Sequence, residues 1–303
     1  MATVLDSQQA PTEGLPAVRP PRTLELLVRL VRETPLQPAT NLWRAIELSA
    51  LARALPRRGR CLDVGCGNGM LTGILREVLQ ADWELIGLDP DEMEAGLATE
   101  TGIYRTVHCC GADAIPEPPA SFDVAVANSV LEHVPNLCES LGEIARCLKP
   151  GGRLLATVPS PFFRTGLRGP VMPWRSAAGR QRYLQSLDAR LKHLHYWSQA
   201  QWQERLRDAG LELETVQGFI TRKQLRRWEL LSKCTGGLAY RLGGRKHGTM
   251  QIQQRLRLRR AVPRWLRPAA RPLARLIGGR ILEDCSETLD ANAGFLVIAI
   301  KDS

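Results

Sequence analysis

Long apolar runs are missing from this 303-residue sequence, and its first residues contain no hydrophobic stretch. No run of 18 or more apolar residues occurs, so we expect no transmembrane helix. Residues 1–22 hold four prolines among small polar residues. They do not resemble a secretory signal, and we interpret them as a disordered leader. These absences favour a cytoplasmic protein.

Cysteine pairs of the C-x-x-C type are also missing, although the chain has eight cysteines. Zinc clusters usually place their cysteines at that spacing, so no such cluster is expected. Most of the cysteines lie in apolar segments and are interpreted as small core residues. On this ground we expect no metal site.

Acidic residues are nearly missing from residues 221–280. This segment holds 17 of the 41 Lys and Arg residues and a single acid, Glu229, so its formal charge is +16. The rest of the chain carries −6, and the whole chain carries +10. Arginine interleaved with Leu, Ile and Trp suits a cap over a substrate, a peripheral contact with anionic lipid headgroups, or an RNA-binding arm. Aromatic residues make up only 5% of the chain and no RNA-binding module is recognisable, which argues against nucleic acid as the partner.

An alternation of short apolar runs and amphipathic helical stretches begins after residue 57. The apolar runs lie at residues 61–64, 85–88, 106–109, 124–127, 153–158, 211–220 and 294–300. Strands that alternate with helices are typical of βαβ units and a parallel sheet. The pattern therefore predicts an α/β fold: a doubly wound, seven-stranded, mostly parallel sheet with helical insertions.

The same pattern divides the chain into consecutive parts. In order, they are the leader 1–22, the N-terminal helices 23–56, the α/β core 57–220 with an excursion at 161–195, a basic helical insertion or cap at 221–290, and the final core strand 291–303. Because a buried strand follows the basic segment, we expect that segment to be an insertion in the domain.

A glycine-rich turn follows the first predicted strand, in the sequence Leu-Asp-Val-Gly-Cys-Gly-Asn-Gly at 62–69. Glycines there let the backbone approach a ligand closely beside a helix N-terminus. The dinucleotide fingerprint requires a third glycine where Met70 stands, so a dinucleotide is not indicated. Asp89 ends the second strand, where a carboxylate can bind both hydroxyls of a ribose. Asp63 or Asp89 alone would equally suit a helix cap or a turn, but together with the glycines they indicate an adenosine-containing ligand.

These residues resemble the class I S-adenosylmethionine-dependent methyltransferases, in particular the bacterial small-molecule branch of the methyltransferase type 11-like kind. The resemblance covers about residues 58–160 and rests on five ordered motifs. They are the glycine turn, Ala112-Asp113-Ala114, Ser121-Phe122-Asp123-Val124, Ser129-Val130-Leu131-Glu132-His133-Val134 and Leu148-Lys149-Pro150-Gly151-Gly152. The resemblance implies a Rossmann-like methyltransferase fold with S-adenosylmethionine as the cofactor.

The cofactor-binding residues that the resemblance implies all lie at the carboxyl ends of predicted strands, where open α/β sheets bind ligands. They are Gly65, Cys66, Gly67 and Gly69 for the methionine part, Asp63 for its amino end, Asp89 for the ribose, Asp113 and Ala114 for the adenine, and Asn128 beside the methionine moiety.

Catalytic residues are harder to predict, because methyl transfer depends on alignment and needs a base only where the acceptor must lose a proton. The candidates for a base are His133, after the fourth strand, and His195, in a segment that can close over the site. The expected acceptor pocket consists of Phe162, Phe163, Trp174, Tyr183 and His193. Each of these residues has an ordinary alternative as a packed or exposed histidine or as a core aromatic.

The sequence therefore predicts methyl transfer by in-line displacement to a small-molecule or lipid-linked metabolite, of a natural-product or cell-envelope type. One alternative is an RNA or protein methyltransferase that grips its polymer with residues 221–280. Another is a non-catalytic partner protein that binds the same cofactor. The expected localisation is cytoplasmic, with peripheral membrane contact through 221–280 in the lipid interpretation. The acceptor atom and the oligomeric state stay open.

Overall fold

The structure, a computed structural model, describes most of the chain. The described residues are 22–170, 172, 176–238, 261, 263–284 and 288–302. The predicted leader up to residue 21, Trp174 and residues 239–260 of the basic segment lie outside them. What the sequence predicts for those residues stays a prediction.

Seven strands and ten α-helices occur in the described residues. The strands are β1 (Arg58–Val64), β2 (Asp82–Leu88), β3 (Thr106–His108), β4 (Phe122–Asn128), β5 (Leu148–Pro159), β6 (Leu211–Thr221) and β7 (Asn292–Lys301). The helices are α1 (Thr23–Glu33), α2 (Pro38–Ala54), α3 (Met70–Leu79), α4 (Glu92–Glu100), α5 (Leu137–Cys147), α6 (Phe162–Gly166), α7 (Ala177–Leu191), α8 (Gln199–Asp208), α9 (Arg222–Cys234) and α10 (Ala270–Gly278). Short 3-10 turns lie at Leu131–His133, Arg264–Ala269, Gly279–Glu283 and Leu289–Ala291.

All seven strands form one sheet in the order β3-β2-β1-β4-β5-β7-β6. Strands β1 to β5 are parallel, whereas β7 is antiparallel to both β5 and β6. The predicted seven-stranded, mostly parallel α/β sheet is thereby confirmed. The strand order reverses between β1 and β4, so their carboxyl ends flank the crevice in which such sheets bind ligands.

Apolar side chains cover both faces of the sheet, because successive residues of a strand point to opposite sides. Cys61 of β1 packs in the core formed with α1, α2 and α3. Its neighbour Leu62 packs in the other core, with α5 and α8. Packing on both faces holds the strands in place. The loops at their carboxyl ends therefore start from fixed positions.

The fifth strand is longer than predicted. It begins at Leu148, directly after α5 ends at Cys147, so residues 149–152, which precede the predicted run 153–158, also belong to the strand. A positive φ at Gly151 and a shift of register after Phe122 let this stretch bulge while the two strands stay paired.

The described parts of the basic segment are anchored on the N-terminal helices. Helix α10 packs against α1 and buries Ala274 and Ile277, and α9 packs against α2 and buries Leu225 and Trp228. Among the described residues, no helix combines the length and the apolar character needed to cross a bilayer.

Glu229, the single acid of the basic segment, joins α9 to the excursion. Its buried carboxylate accepts hydrogen bonds from the backbone N–H groups of Arg168 and Gly169 at 2.7 and 2.8 Å. The Tyr183 hydroxyl donates to it at 2.6 Å, and Lys233 Nζ lies at 2.8 Å. Burial raises the pKa of this carboxyl, but the four donors outweigh burial and hold the pKa below its usual range. The carboxylate therefore stabilises the fold.

Candidate active site

The glycine turn leads from β1 into α3 at the carboxyl edge of the sheet. Gly65, Gly67 and Gly69 all have positive φ angles, of 67°, 53° and 75°. A Cβ atom at Gly65 would lie 2.5 Å from Val130 Cγ2, whereas one at Gly67 would approach nothing closer than Glu94 Oε2 at 3.7 Å. The turn is thus packed against the protein at Gly65 and leaves room for a ligand at Gly67.

Asp63 lies beneath this turn at the end of β1 and is buried. Its Oδ2 accepts hydrogen bonds from the hydroxyls of Thr72 and Tyr104, each at 2.6 Å. Burial raises the pKa of the Asp63 carboxyl, and the negative charge of Asp89 adds to the shift while the two hydroxyls oppose it. One oxygen of Asp63 therefore ties α3 and the loop that carries Tyr104 to the turn.

Asp89 follows β2 and faces the same turn. Its Oδ2 accepts a hydrogen bond from the Gly67 N–H and its Oδ1 accepts one from the Asp91 N–H, both at 2.9 Å. Partial burial raises the pKa of this carboxyl, and the two N–H donors oppose the shift. A carboxylate oxygen has more than one lone pair, so each oxygen of this fixed group can still accept from a ribose hydroxyl.

The other cofactor-binding residues that the resemblance implies lie along the same edge. Cys66 is buried within the turn, which raises the pKa of its thiol. Asp113 and Ala114 are exposed on the loop after β3, and Asp113 Oδ2 accepts a hydrogen bond from Asn136 Nδ2 at 3.2 Å. Asn128 is the last residue of β4. The structure brings these residues to one edge of the sheet, and their contacts with a cofactor stay a prediction.

A second polar group surrounds the end of β4, and part of it comes from the N-terminal helices. Arg44 Nη1 of α2 donates to Glu47 Oε2 at 2.6 Å and to Asn128 Oδ1 at 3.3 Å. The Ser129 hydroxyl donates to Glu47 Oε1 at 2.5 Å. Glu47 is fully buried, so both of its oxygens are satisfied inside the protein.

Three possible cation ligands converge beside this group, namely Glu132, His133 and His193. One ligand atom from each lies within 4.8 Å of the others. Glu132 is buried, and its Oε2 has no hydrogen-bond partner among the described residues. Burial, with a contribution from the nearby Glu47 carboxylate, raises the pKa of Glu132 to about 8. The protein therefore places an acid with one unpartnered oxygen next to two imidazoles.

Each of the two histidines uses its Nδ1 atom in a hydrogen bond to the protein. His133 Nδ1 lies 2.8 Å from the Lys192 carbonyl oxygen, to which it donates. His193 Nδ1 lies 3.0 Å from the hydroxyl of Tyr196, which itself donates to Asp188 Oδ1 at 2.7 Å. Nδ1 therefore carries the proton in both rings, and Nε2 is the acceptor. Burial lowers the pKa of both imidazoles, that of His193 to about 3. Two such nitrogens beside a carboxyl can accept a proton or bind a divalent cation.

Phe163 is the predicted pocket residue that lies beside the histidines. Its ring centre is 5.6 Å from that of His193 and 5.9 Å from that of Tyr196. On its other sides it meets Trp43 at 5.6 Å and Trp228 at 5.4 Å. Phe163 is buried, so it links the aromatic core to the polar cluster.

The remaining predicted residues have other neighbours. Phe162 lies 4.8 Å below an arginine of α9, and the Tyr183 hydroxyl donates to Glu229. The His195 Nε2 atom lies 2.9 Å from the Val134 carbonyl oxygen, so this ring links its segment to the turn after β4. Trp174 lies outside the described residues.

Arg44, Glu47 and Tyr104 belong to the site and were not among the predicted residues. The available signal for the first two was a pair of opposite charges three positions apart in the apolar sequence of α2. Tyr104 carried no comparable signal, because a lone tyrosine after a helix is common.

The geometry on its own defines a class of protein. A doubly wound sheet, a glycine turn after β1 and a fixed carboxylate after β2 together indicate a Rossmann-like fold that binds an adenosine-containing cofactor. The room above Gly67 and the remaining lone pairs of Asp89 fit such a group.

Comparison with known proteins gives the family. Residues 40–216, more than half of the chain, match the family model described as a methyltransferase domain. The 27-O-demethylrifamycin SV methyltransferase of Amycolatopsis mediterranei (strain S699) is 32% identical over 179 residues, which are 55% of this chain and 60% of that protein. The ubiquinone biosynthesis O-methyltransferase of Xanthomonas axonopodis pv. citri (strain 306) is 31% identical over 175 residues, which are 56% of this chain and 69% of that protein. The chain therefore belongs to the S-adenosylmethionine-dependent methyltransferases, as its motifs indicated.

A similar fold occurs in a protein that is described as a cyclase. The crystal structure of the [4+2]-cyclase SpnF has a TM-score of 0.50 and 20% sequence identity, and the match covers 85% of this chain and 82% of that one. At that identity the likeness shows the fold alone. The reaction must therefore be argued from the site.

Proposed function

We propose that this chain transfers the methyl group of S-adenosylmethionine to an oxygen atom of a small-molecule acceptor. The observation that carries the proposal is the contact between the two halves of the site. Gly65 of the cofactor turn packs on Val130, and the same short segment continues into Glu132 and His133. A cofactor on the turn and an acceptor at the histidines would then be neighbours. Oxygen is inferred from the relatives, one of which is named an O-methyltransferase.

The residues at the carboxyl edge have distinct parts in holding the cofactor. When bound, it supplies an electrophilic methyl group for an in-line displacement. The open turn at Gly67 would hold the methionine part, and Asp63 supports that turn from below. Asp89 would bind the ribose hydroxyls, and Asp113 with Ala114 would meet the adenine. The other residues that we assign to the cofactor site are Gly65, Cys66 and Gly69 of the turn and Asn128 at the end of β4.

Activation of the acceptor hydroxyl is assigned to the cluster after β4. His133 Nε2 is an unprotonated acceptor, because Nδ1 donates to a backbone carbonyl. It can therefore take the proton of a hydroxyl placed beside it. His195 would act by positioning, since its bond to the Val134 carbonyl holds its segment near that turn. The buried Phe163 ring would support His193 from the side of the aromatic core.

The same cluster has the composition of a divalent cation site. One ring nitrogen of each imidazole and a carboxyl oxygen of Glu132 lie within ligand reach of one another, and Glu132 Oε2 has no hydrogen-bond partner among the described residues. The Nδ1 bonds that fix both rings are of the kind that orients metal-binding histidines. The sequence-based expectation of no metal rested on cysteine spacing, which does not address this group. A cation there would polarise the acceptor hydroxyl in place of a base.

A lipid-linked acceptor met at a membrane surface is supported by the described part of the basic segment. Trp265 is 78% exposed and Leu276 is 71% exposed, between exposed arginines and without an acid among the described residues of 261–280. Such a surface suits anionic headgroups. The double variant Trp265→Ser/Leu276→Ser should lose sedimentation with phosphatidylglycerol vesicles, whereas Leu36→Ser, at a 62% exposed leucine elsewhere, should keep it. Equal sedimentation of both variants, or none by the wild type, would contradict this surface.

Methyl transfer itself is tested with labelled cofactor. The wild-type chain is incubated with methyl-labelled S-adenosylmethionine and a small-molecule extract of cells, and the products are analysed by mass spectrometry. We expect a labelled O-methyl product that Asp89→Ala and His133→Ala both diminish. A label on nitrogen or carbon would contradict the acceptor atom, and an absence of any labelled product would contradict the function.

A further inference from the structure

Ser129, at the point where β4 gives way to the site segment, has a left-handed backbone with a φ of 51°. A residue with a Cβ atom is strained in that region and stays there only when its surroundings hold it. The Ser129 N–H donates to Thr157 Oγ1 at 2.9 Å and to the Thr157 carbonyl at 3.0 Å. Its hydroxyl donates to Glu47 Oε1. These contacts hold the strained conformation from both sides.

Glu47 acts on this turn from outside the sheet. It comes from α2, 82 residues earlier in the chain, and is fully buried. Arg44 occupies its other oxygen and supplies the opposite charge that a buried carboxylate needs. A helix outside the sheet thus reaches the carboxyl end of a central strand through Glu47, and through Arg44, which donates to Asn128.

The direction set at Ser129 decides where the next residues lie. Val130 comes next and packs against Gly65 of the cofactor turn. The 3-10 turn that follows carries Glu132 and His133. If Ser129 relaxed to a negative φ, the segment would leave the strand in another direction. The contact between Val130 and Gly65 would then change, and Glu132 and His133 would move.

We propose that Glu47 is a positioning residue, which holds Ser129 in its left-handed conformation and thereby sets the geometry of both the cofactor turn and the acceptor cluster. The inference rests on the proposed function, because it assumes that the turn binds the cofactor. In this role Glu47 acts through Ser129, with which its Oε1 shares a hydrogen bond.

The test compares two substitutions of the same serine by the affinity for S-adenosylhomocysteine, measured by calorimetry. Ser129→Ala keeps the Cβ atom and removes the hydroxyl, so it should weaken binding about tenfold, the cost of one unheld left-handed residue. Ser129→Gly adopts a positive φ without strain and should bind within about twofold of the wild type.

Rescue separates positioning from a general structural role. Glu47→Met removes the acceptor of the Ser129 hydroxyl and should weaken binding about tenfold, whereas Glu47→Met/Ser129→Gly should return to within about threefold of the wild type. Thr34→Val is the matched control, because it removes a buried hydrogen bond to Asn41 on the same helix, away from the site. It should lower the melting temperature and leave the affinity unchanged.

Two results would overturn the inference: Ser129→Gly binding as weakly as Ser129→Ala, or a double variant that binds no better than Glu47→Met. Circular dichroism of each variant at the assay temperature confirms that it is folded. Failure of the wild type itself to bind S-adenosylhomocysteine would overturn the proposed function together with this inference, and that pattern differs from a loss of rescue alone.

Discussion

Replacing Gly65 by alanine perturbs the cofactor turn at its most crowded point. The backbone there has a φ of 67°, which costs an alanine about 1–2 kcal/mol. The added Cβ would also lie 2.5 Å from Val130 Cγ2 and 2.8 Å from Cγ1, and such overpacking costs about 1–3 kcal/mol. The free energy of unfolding should therefore fall by about 2–5 kcal/mol.

Gly67→Ala is the matched comparison within the same turn. Its φ of 53° brings a similar backbone cost, but its Cβ would meet nothing closer than 3.7 Å, so the free energy of unfolding should fall by only about 1–2 kcal/mol. Gly67→Ala should instead weaken cofactor binding, because the new Cβ fills the space assigned to the ligand. Urea unfolding and calorimetry with S-adenosylhomocysteine measure the two quantities.

Val130→Ala completes a double-mutant cycle with Gly65→Ala. Trimming Val130 makes room for the new Cβ, so the double variant should be more stable than the sum of the single effects by about 1–3 kcal/mol. Additive effects, or equal destabilisation by Gly65→Ala and Gly67→Ala, would refute the packing described for the turn.

Three further predictions concern the basic segment and the acceptor cluster. Glu229→Gln should cost about 1–3 kcal/mol in urea unfolding at pH 7, because four donors lose a charged acceptor. Since the folded pKa of Glu229 lies below its usual range, its stabilisation is present above the unfolded pKa and is lost as the pH falls through the folded pKa. The difference between wild type and Glu229→Gln should therefore shrink in urea unfolding between about pH 5 and pH 3, and a constant difference would contradict the shift. Manganese added to chelator-treated protein should raise the rate of methyl transfer, and His193→Ala should abolish that response. A rate that neither manganese nor His193→Ala changes would contradict the cation site and favour His133 as a base without a metal.

The fold was predictable because its signals are local. Each core strand is an apolar run bounded by turn residues, and the last buried strand after residue 290 is the reason for expecting the basic segment to be an insertion. The glycine turn was equally readable, since only glycine tolerates its run of positive φ angles. The boundary at Leu148 was not, because a register shift keeps residues 149–152 in the strand.

The candidate site was predictable on its cofactor side and incomplete on its acceptor side. Asp63 lies near the end of the first strand and Asp89 directly follows the second, so the sequence places both at the sheet edge. Glu47 reaches Ser129 across 82 residues and Tyr104 reaches Asp63 across 41, and such contacts depend on how helices pack on the sheet. His133 and His193 were both named as candidates, but their shared orientation depends on hydrogen bonds that no spacing reveals.

Binding of S-adenosylmethionine to the wild type and to Asp89→Ala, measured by calorimetry at one pH and salt concentration, tests the central claim most directly. We expect the wild type to bind one equivalent and Asp89→Ala to bind about 10- to 150-fold more weakly, the worth of about 1.5–3 kcal/mol of charge-assisted hydrogen bonds. Equal affinity in the two proteins, or no binding by the wild type, would contradict the assignment of this sheet edge as the cofactor site.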